Sequence, residues 1–366
     1  MKFNAAIHVA SREPLVIDEV KLVRLGPNDV LVRVQAAGLC HTDWEAQQGN
    51  FATATPIILG HECAGVVEEV GSQVKAVKAG QKVACSVYPA CGHCYYCRRQ
   101  QPMLCEPVLA SHKKGRLLDG LPRIEWNGQP LQQFMNVAAF AEYVIIPEYG
   151  AVPIPEEIPA DRACILGCAV ITGIGAVTRV AKVEYGASVA IIGCGPVGLN
   201  VVQGAKRVGA SVVCAVDTSA ERLEQARAMG ATHCVNASSE SLSEVLADLT
   251  NGRNADYVFE AAGSEQAFQE ALDATRVGGT LVLLGKVDPT SKVSLRFGSM
   301  MGDKRIIRSS LGGSCAHDDF SQYAHDYLHG TLELDSMITE RMPLSEINTG
   351  LDKLARGELI RGVLVF

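Results

Sequence analysis

The sequence predicts an α/β protein with a strand-rich first third followed by a central parallel sheet wrapped by helices. Three observations carry this. Short β-branched runs separated by glycines fill the first third, apolar strands alternate with helix-period segments from about residue 170, and a G-x-G-x-x-G turn opens that alternation.

In the first third, LVRVQAAGL (31–39), HECAGVVEEVG (61–71) and KAGQKVACSV (78–87) read as strands, punctuated by Gly49, Gly60, Gly71 and Gly80. The segment 106–136 is polar, carries three glycines and three prolines, and reads as a long surface loop. Beyond it, SVAIIG (188–193) is an apolar strand and PVGLNVVQGAKRVGA (196–210) has helical spacing. SVVCAVD (211–217) is the next strand, and SAERLEQARAMGA (219–231) starts with a Ser cap and an early Glu. HCVNA, ADYVFEAAG and GTLVLLG continue as strands, separated by helix-like SLSEVLADLTNG and EQAFQEALDATRVGG. The chain returns to mixed character near Gly312 and ends in a strand, RGVLVF.

Bulk properties narrow the function. With 366 residues, 48% hydrophobic and 20% charged, the chain has the composition of a soluble globular protein. A net charge of −7 gives no electrostatic reason to bind nucleic acid or an anionic membrane. The stretch 185–205 lacks charge, but Gly186, Gly193, Gly195, Gly198, Gly204 and Pro196 make it a strand, turn and helix rather than a membrane span. The N-terminus has no apolar run of signal-peptide length, and the thirteen cysteines suit reduced thiols, so a cytoplasmic location is expected.

Two motifs carry chemistry. In the first, Gly193 permits a tight turn after a strand, Gly195 lets a pyrophosphate approach, and Gly198 permits close helix–strand packing. Asp217 ends the next strand, nineteen residues beyond Gly198. A carboxylate there accepts from a ribose hydroxyl and repels a 2′-phosphate, which favours NAD over NADP. Arg222 follows in the next helix, within reach of the adenosine end. In the second, Cys91, Cys94, Cys97 and Cys105 place four thiols in fifteen residues, C-x2-C-x2-C-x7-C. Four thiolates close a tetrahedral zinc site and leave no open position, so this site is structural. The spacing matches neither ferredoxin pattern. His93, between two of these ligands, reads as a bystander.

A scattered set, Cys40, His61, Glu62 and Cys168, offers two thiolates, an imidazole and a carboxylate. Spacing alone does not separate Cys168 from Cys164. Cys63, Cys85, Cys164, Cys194, Cys214, Cys234 and Cys315 read as small buried apolar residues.

GLCHTD (38–43), GHE, the four-cysteine run, the long segment after it, the cysteine before T-G and GxGxxG…D together resemble the zinc-dependent medium-chain alcohol dehydrogenases over essentially the whole chain. The resemblance implies a discontinuous GroES-like, mostly-β catalytic domain (1–169 and 311–366) and a Rossmann NAD-binding domain (170–310). It implies NAD and two Zn2+ per chain. Cys40, His61 and Cys168 would hold the catalytic ion. Asp43 would orient His61, Glu62 would sit behind the ion, and Thr42 would bond the substrate oxygen and start a proton relay. His41 and Arg361 would meet the pyrophosphate, with Thr172 and Val197 against the nicotinamide. The relay position that is a histidine in liver-type enzymes is Glu45 here. The long segment after Cys105 resembles the typically dimeric branch, so a homodimer is expected, with a homotetramer as the alternative.

Substrate expectations follow from the same resemblance. Glutathione-dependent formaldehyde dehydrogenases of this branch carry an Asp and an Arg where this chain has Phe51 and Leu109. Val87, Phe134 and Met135 fall where the family lines its pocket. A primary alcohol with an aromatic or apolar body, oxidised reversibly to the aldehyde, is the expected substrate. The alternatives are an aldehyde reductase or biosynthetic dehydrogenase using the same site, a thiol-dependent formaldehyde dehydrogenase, and a non-catalytic relative. The last would lack Cys40, His61 or Cys168, and all three are present.

Overall fold

The computed structural model describes residues 1–51, 53–286 and 292–366. The chain forms two compact units, Met1–Cys168 with Cys315–Phe366, and Ala169–Ser314. The breaks therefore fall at 168/169 and 314/315, against the expected 169/170 and 310/311.

The first unit contains a small closed barrel and a seven-stranded sheet. The sheet is organised around Asp29–Leu39, a strand buried along most of its length. Glu62–Val70 pairs antiparallel on one side, with Gly38 opposite Glu62. Arg361–Val365 pairs antiparallel at its far end, with Gly362 opposite Leu39. Chain segments more than three hundred residues apart in sequence thus meet at the end of one strand.

The segment 106–136 is not a surface loop. Glu106–Lys114 is a helix, ended by Gly115 at φ 59°, the left-handed conformation that glycine adopts without a side-chain clash. Ile124–Trp126 and Gln129–Gln133 form a hairpin. Its turn is Asn127-Gly128, both at positive φ, the pair that two-residue hairpins favour. These strands close the barrel by pairing with Val16–Leu22 and with Ile57–Ile58. Leu117, Ile124 and Leu131 are buried beneath them.

The second unit is a six-stranded parallel sheet. Its order is His233–Asn236, Val212–Asp217, Ser188–Ile192, Ala255–Glu260, Thr275–Leu283, Arg305–Arg308. Numbered along the chain this is 3-2-1-4-5-6, the doubly wound order in which ligands bind beyond the carboxyl ends of the strands. Its helices begin at Ser219, Ser241 and Ser264, whose hydroxyls each accept a backbone N–H of the first turn. The helix read through residue 279 stops at Ala274; Thr275, Arg276 and Val277 already belong to the strand. A β-branched pair with two following glycines favours extended backbone there over another helical turn. Among the described residues no single helix is long and apolar enough to cross a membrane.

Candidate active site

In the second unit the three glycines meet three distinct physical demands. Gly193 adopts φ +96°, where a side chain is strained. A Cβ on Gly198 would lie 1.8 Å from the Gly193 carbonyl oxygen, so that position must stay bare. A Cβ on Gly195 would meet nothing within 4 Å, which leaves open space at the start of helix Pro196–Arg207. This is a cradle with room for a pyrophosphate at a helix N-terminus. Asp217 Oδ2 accepts the Cys194 N–H at 2.8 Å and Oδ1 accepts that of Ser219 at 2.9 Å. The remaining lone pairs are left for a ribose hydroxyl. Arg222 stands in the first turn of helix Ala220–Met229, Val197 in that of Pro196–Arg207, and Thr172 in helix Ala169–Gly175.

In the first unit, Cys40, His61, Glu62 and Cys168 present donor atoms that all lie within 4.8 Å of one another. Strand register explains how. Cys40 follows the end of the central strand, and Glu62 begins its neighbour opposite Gly38. Gly38 makes the close approach possible, because a Cβ there would come 2.4 Å from Glu62 Oε2. Arg361 begins the strand on the other side. Its Nη1 donates to the Leu39 carbonyl at 2.8 Å and lies 3.2 Å from Glu62 Oε1. Arg361 is only 2% exposed, so its guanidinium faces the Glu62 side of the site.

Asp43 ties the cluster together. It sits fully buried in helix His41–Gln47, with Oδ1 2.9 Å from His61 Nδ1. The same carboxylate accepts the backbone N–H groups of Gly60 at 3.1 Å and Cys40 at 3.3 Å. That bond assigns Nδ1–H of His61 to Asp43 and leaves Nε2 with its lone pair for an ion. Burial alone would push the His61 imidazole down, but the Asp43 carboxylate and the Cys40 thiol outweigh it and hold it well above its usual range. Burial pushes the Glu62 carboxyl up to about 7 although Arg361 pulls the other way. The hydrogen bond with Cys168, helped by Arg361 and His61, holds the Cys40 thiol well below its ordinary value.

Both Glu62 side-chain oxygens are buried without a hydrogen bond. A buried carboxylate whose oxygens accept no hydrogen bond and whose charge is paired with Arg361, beside two thiols and an imidazole lone pair, is a donor set that a divalent zinc ion fits. Cys164 is excluded from it: its thiol is fully buried and donates to the Asp161 carbonyl at 3.2 Å.

Cys91, Cys94, Cys97 and Cys105 form the other cluster, again within 4.8 Å. The Cys91 and Cys97 sulfurs are 4.0 Å apart. That is close to the ~3.8 Å edge of a tetrahedron of zinc–sulfur bonds. The Cys94 N–H donates to Cys91 Sγ at 3.4 Å and the Cys91 N–H to Cys105 Sγ at 3.3 Å, as thiolates require. His93 bonds the Cys91 carbonyl and is exposed.

Of the pocket residues, Phe134 and Phe51 are brought to the site. The Phe134 ring is 6.2 Å from that of His61, and Phe51 packs on it edge-to-face at 6.4 Å. Met135 follows at φ 49°. Val87 is buried, and its carbonyl accepts from His112 Nε2 at 2.8 Å. Leu109 is 37% exposed on helix Glu106–Lys114. Thr42 is half-buried beside Asp43, and Glu45 Oε1 lies 3.8 Å from His41 Nε2 one turn back. The roles of Gly38 and Asn127-Gly128 go beyond what the sequence alone indicates, and Gly60, read there only as a strand boundary, also gives its N–H to Asp43; Asn-Gly between two strands is the signal for the hairpin turn.

Comparison with known proteins agrees with this chemistry. Residues 196–329 match the family described as zinc-binding dehydrogenase, and 26–156 the alcohol dehydrogenase GroES-like domain. The S-(hydroxymethyl)glutathione dehydrogenase of Escherichia coli O1:K1 / APEC is 36% identical over 368 residues, spanning 100% of both chains. Among solved structures, an alcohol dehydrogenase zinc-binding domain protein from Burkholderia ambifaria superposes with TM-score 0.95 at 31% identity, covering 100% of this chain and 99% of that one. Benzyl alcohol dehydrogenase from Acinetobacter calcoaceticus gives 0.94 at 25% identity with the same coverage. Two zinc-binding clusters, a dinucleotide cradle and full-length similarity lead to one conclusion: the chain belongs to the zinc-dependent alcohol dehydrogenases of the medium-chain family, oxidoreductases that use NAD.

Proposed function

We propose that this enzyme oxidises primary alcohols with aromatic or apolar bodies to aldehydes, reversibly, with NAD. The observation that carries this reading is the aromatic wall of Phe134 and Phe51 over His61. Such a wall favours a flat apolar substrate and offers no partner to a charged one. The benzyl alcohol activity named for the Acinetobacter relative supports it.

Cys40, His61 and Cys168 would hold the catalytic zinc, and Cys91, Cys94, Cys97 and Cys105 the structural one. When bound, zinc polarises the substrate oxygen as a Lewis acid and the nicotinamide accepts the hydride. Asp43 fixes the His61 ring and tautomer. The Thr42 hydroxyl takes the hydroxyl proton of the substrate and passes it outward, with Glu45 as acceptor in place of a histidine. Glu62, paired with Arg361, would add a carboxylate to the same donor set. Gly193, Gly195 and Gly198 seat the pyrophosphate, for which His41 and Arg361 are the further proposed partners. Asp217 and Arg222 take the adenosine ribose, and Thr172 and Val197 the nicotinamide. Val87, Leu109 and Met135 complete the apolar pocket around the two phenylalanines.

One other reading has an observation behind it, the glutathione-adduct dehydrogenases of Escherichia coli at 36% identity. Phe51 and Leu109 oppose it, since neither side chain can pair with the carboxylates of a glutathione adduct. NADH formation with benzyl-type alcohols, secondary alcohols and S-(hydroxymethyl)glutathione separates the two. Preference for the benzyl-type alcohol supports our reading, and preference for the glutathione adduct overturns it.

A homodimer fits the second unit. Strand Arg305–Arg308 pairs on one side in the described sheet, and Phe297 and Met301 nearby are 81% and 65% exposed. Thirteen free cysteines fit a reducing cytoplasm.

A further inference from the structure

The parallel sheet of the second unit has a recess at the edge opposite the glycine turn. Ser188, Val212 and Asp256, at or near the amino ends of three strands, line a cavity of about 750 Å³ together with Arg253, Arg276 and Thr250. Gly193 lies past the carboxyl end of Ser188–Ile192, so the five-residue strand separates the two edges. At 3.3 Å per residue this is roughly 17 Å. The recess is therefore distinct from the dinucleotide cradle.

Its character emerges from which hydrogen bonds are already made. Asp256 is spent: Oδ2 accepts the N–H and Oγ–H of Ser188 at 2.7 and 2.6 Å, and Oδ1 accepts Arg276 Nε at 2.5 Å. The Thr250 hydroxyl donates to the Leu246 carbonyl and accepts from the Asn254 N–H. Arg276 Nη1 donates to the Val277 carbonyl at 2.6 Å, which leaves Nη2 over. Arg253 bonds the Thr250 carbonyl through its backbone N–H, and its exposed guanidinium has no hydrogen-bond or ion-pair partner among the described residues. The unspent capacity of the recess is thus chiefly guanidinium N–H: the whole fork of Arg253 and the second nitrogen of Arg276. With Asp256 neutralised by Arg276, the balance of charge is positive.

We propose that this recess is a second anion site, which takes the phosphate or carboxylate groups of a small polyanionic metabolite. Arg253 grips one pair of oxygens in fork geometry and Arg276 Nη2 holds a third, while Asp256 keeps the Arg276 plane fixed. Binding there stabilises the sheet edge without touching cofactor or substrate, so its signature is affinity and thermal stability rather than turnover.

The test uses the zinc-loaded enzyme saturated with NAD, so that the glycine turn is filled. Inorganic phosphate, pyrophosphate and citrate are titrated separately by calorimetry against chloride at matched ionic strength. The expected result is saturable one-to-one binding of at least one of them, with a rise in Tm. Arg253→Gln, an exposed change far from the reacting groups, should weaken that binding about tenfold and leave NADH formation as it was. Tighter binding of phosphate or pyrophosphate than of citrate assigns a phosphate ester; the reverse assigns a polycarboxylate. Absence of saturable binding in all three arms overturns the proposal, as does undiminished binding to the Arg253→Gln protein.

Discussion

The two thiol clusters of this enzyme are built in opposite ways. The Cys91–Cys105 cluster is local: its ligands follow one another within a single excursion of the chain, and neighbouring backbone N–H groups serve the sulfurs. The Cys40–His61–Cys168 cluster is assembled by sheet register, with Cys40 after a central strand, Glu62 across from Gly38 and Arg361 arriving from the far end of the sequence. The difference teaches where each function is vulnerable. A local site depends on its own loop, whereas a register-built site depends on the sheet and on residues that never touch the ion.

The largest expected effect is Cys168→Ser. Removing one of three ligands should lower kcat/KM by roughly a thousandfold or more, the scale on which losing a fixed electrostatic group acts, with the melting transition little changed. Steady-state NADH formation beside calorimetry checks both. Cys94→Ser should do the reverse. Loss of the closed site should lower Tm by roughly 10 °C through lost metal-linked folding energy, with residual activity per folded molecule retained.

Asp43→Asn tests the register-built site through the residue that bonds His61 Nδ1. It keeps the shape but weakens the hold on His61, and should cost roughly 10–100-fold in zinc affinity or activity. A competition titration with a chromophoric chelator measures the first and initial rates the second.

A smaller effect is set by pH. Burial pushes the His112 imidazole down to about 4, and burial lowers that of His8 too. The unfolded chain takes up these protons below about 6.5, whereas folded His112 resists them until about 4. Stability is therefore full above the unfolded value and falls as pH drops through this window, by up to about 3 kcal/mol from His112. Urea unfolding at a series of pH values should show a shallower acid loss for His112→Gln than for the unaltered enzyme; equal slopes would remove His112 from the account.

The same local-versus-assembled contrast decides what could be read from the sequence. Gly193, Gly195 and Gly198 were legible because each answers a demand made within its own turn. The four-cysteine run was legible because its spacing is its geometry. Cys168 and Cys164 could not be told apart, since the choice is made by which thiol faces His61 and which bonds the Asp161 carbonyl. Segment 106–136 looked like a loop because its strands are short and their partners, Val16–Leu22 and Ile57–Ile58, lie far away in sequence. Arg361 was expected from the family resemblance at the pyrophosphate, and its burial against Glu62 and the Leu39 carbonyl is a fact of strand pairing that no local pattern carries.

The central claim is that the register-built cluster does the chemistry and the local cluster holds the fold. Stepwise zinc removal tests it most directly: bound metal, NADH formation from a benzyl-type alcohol and near-UV circular dichroism are followed together as chelator is added. The account predicts two separable events, loss of one zinc with all activity while the fold persists, and loss of the second with the fold. Activity that survives removal of the first zinc, or that disappears only as the fold does, would contradict it.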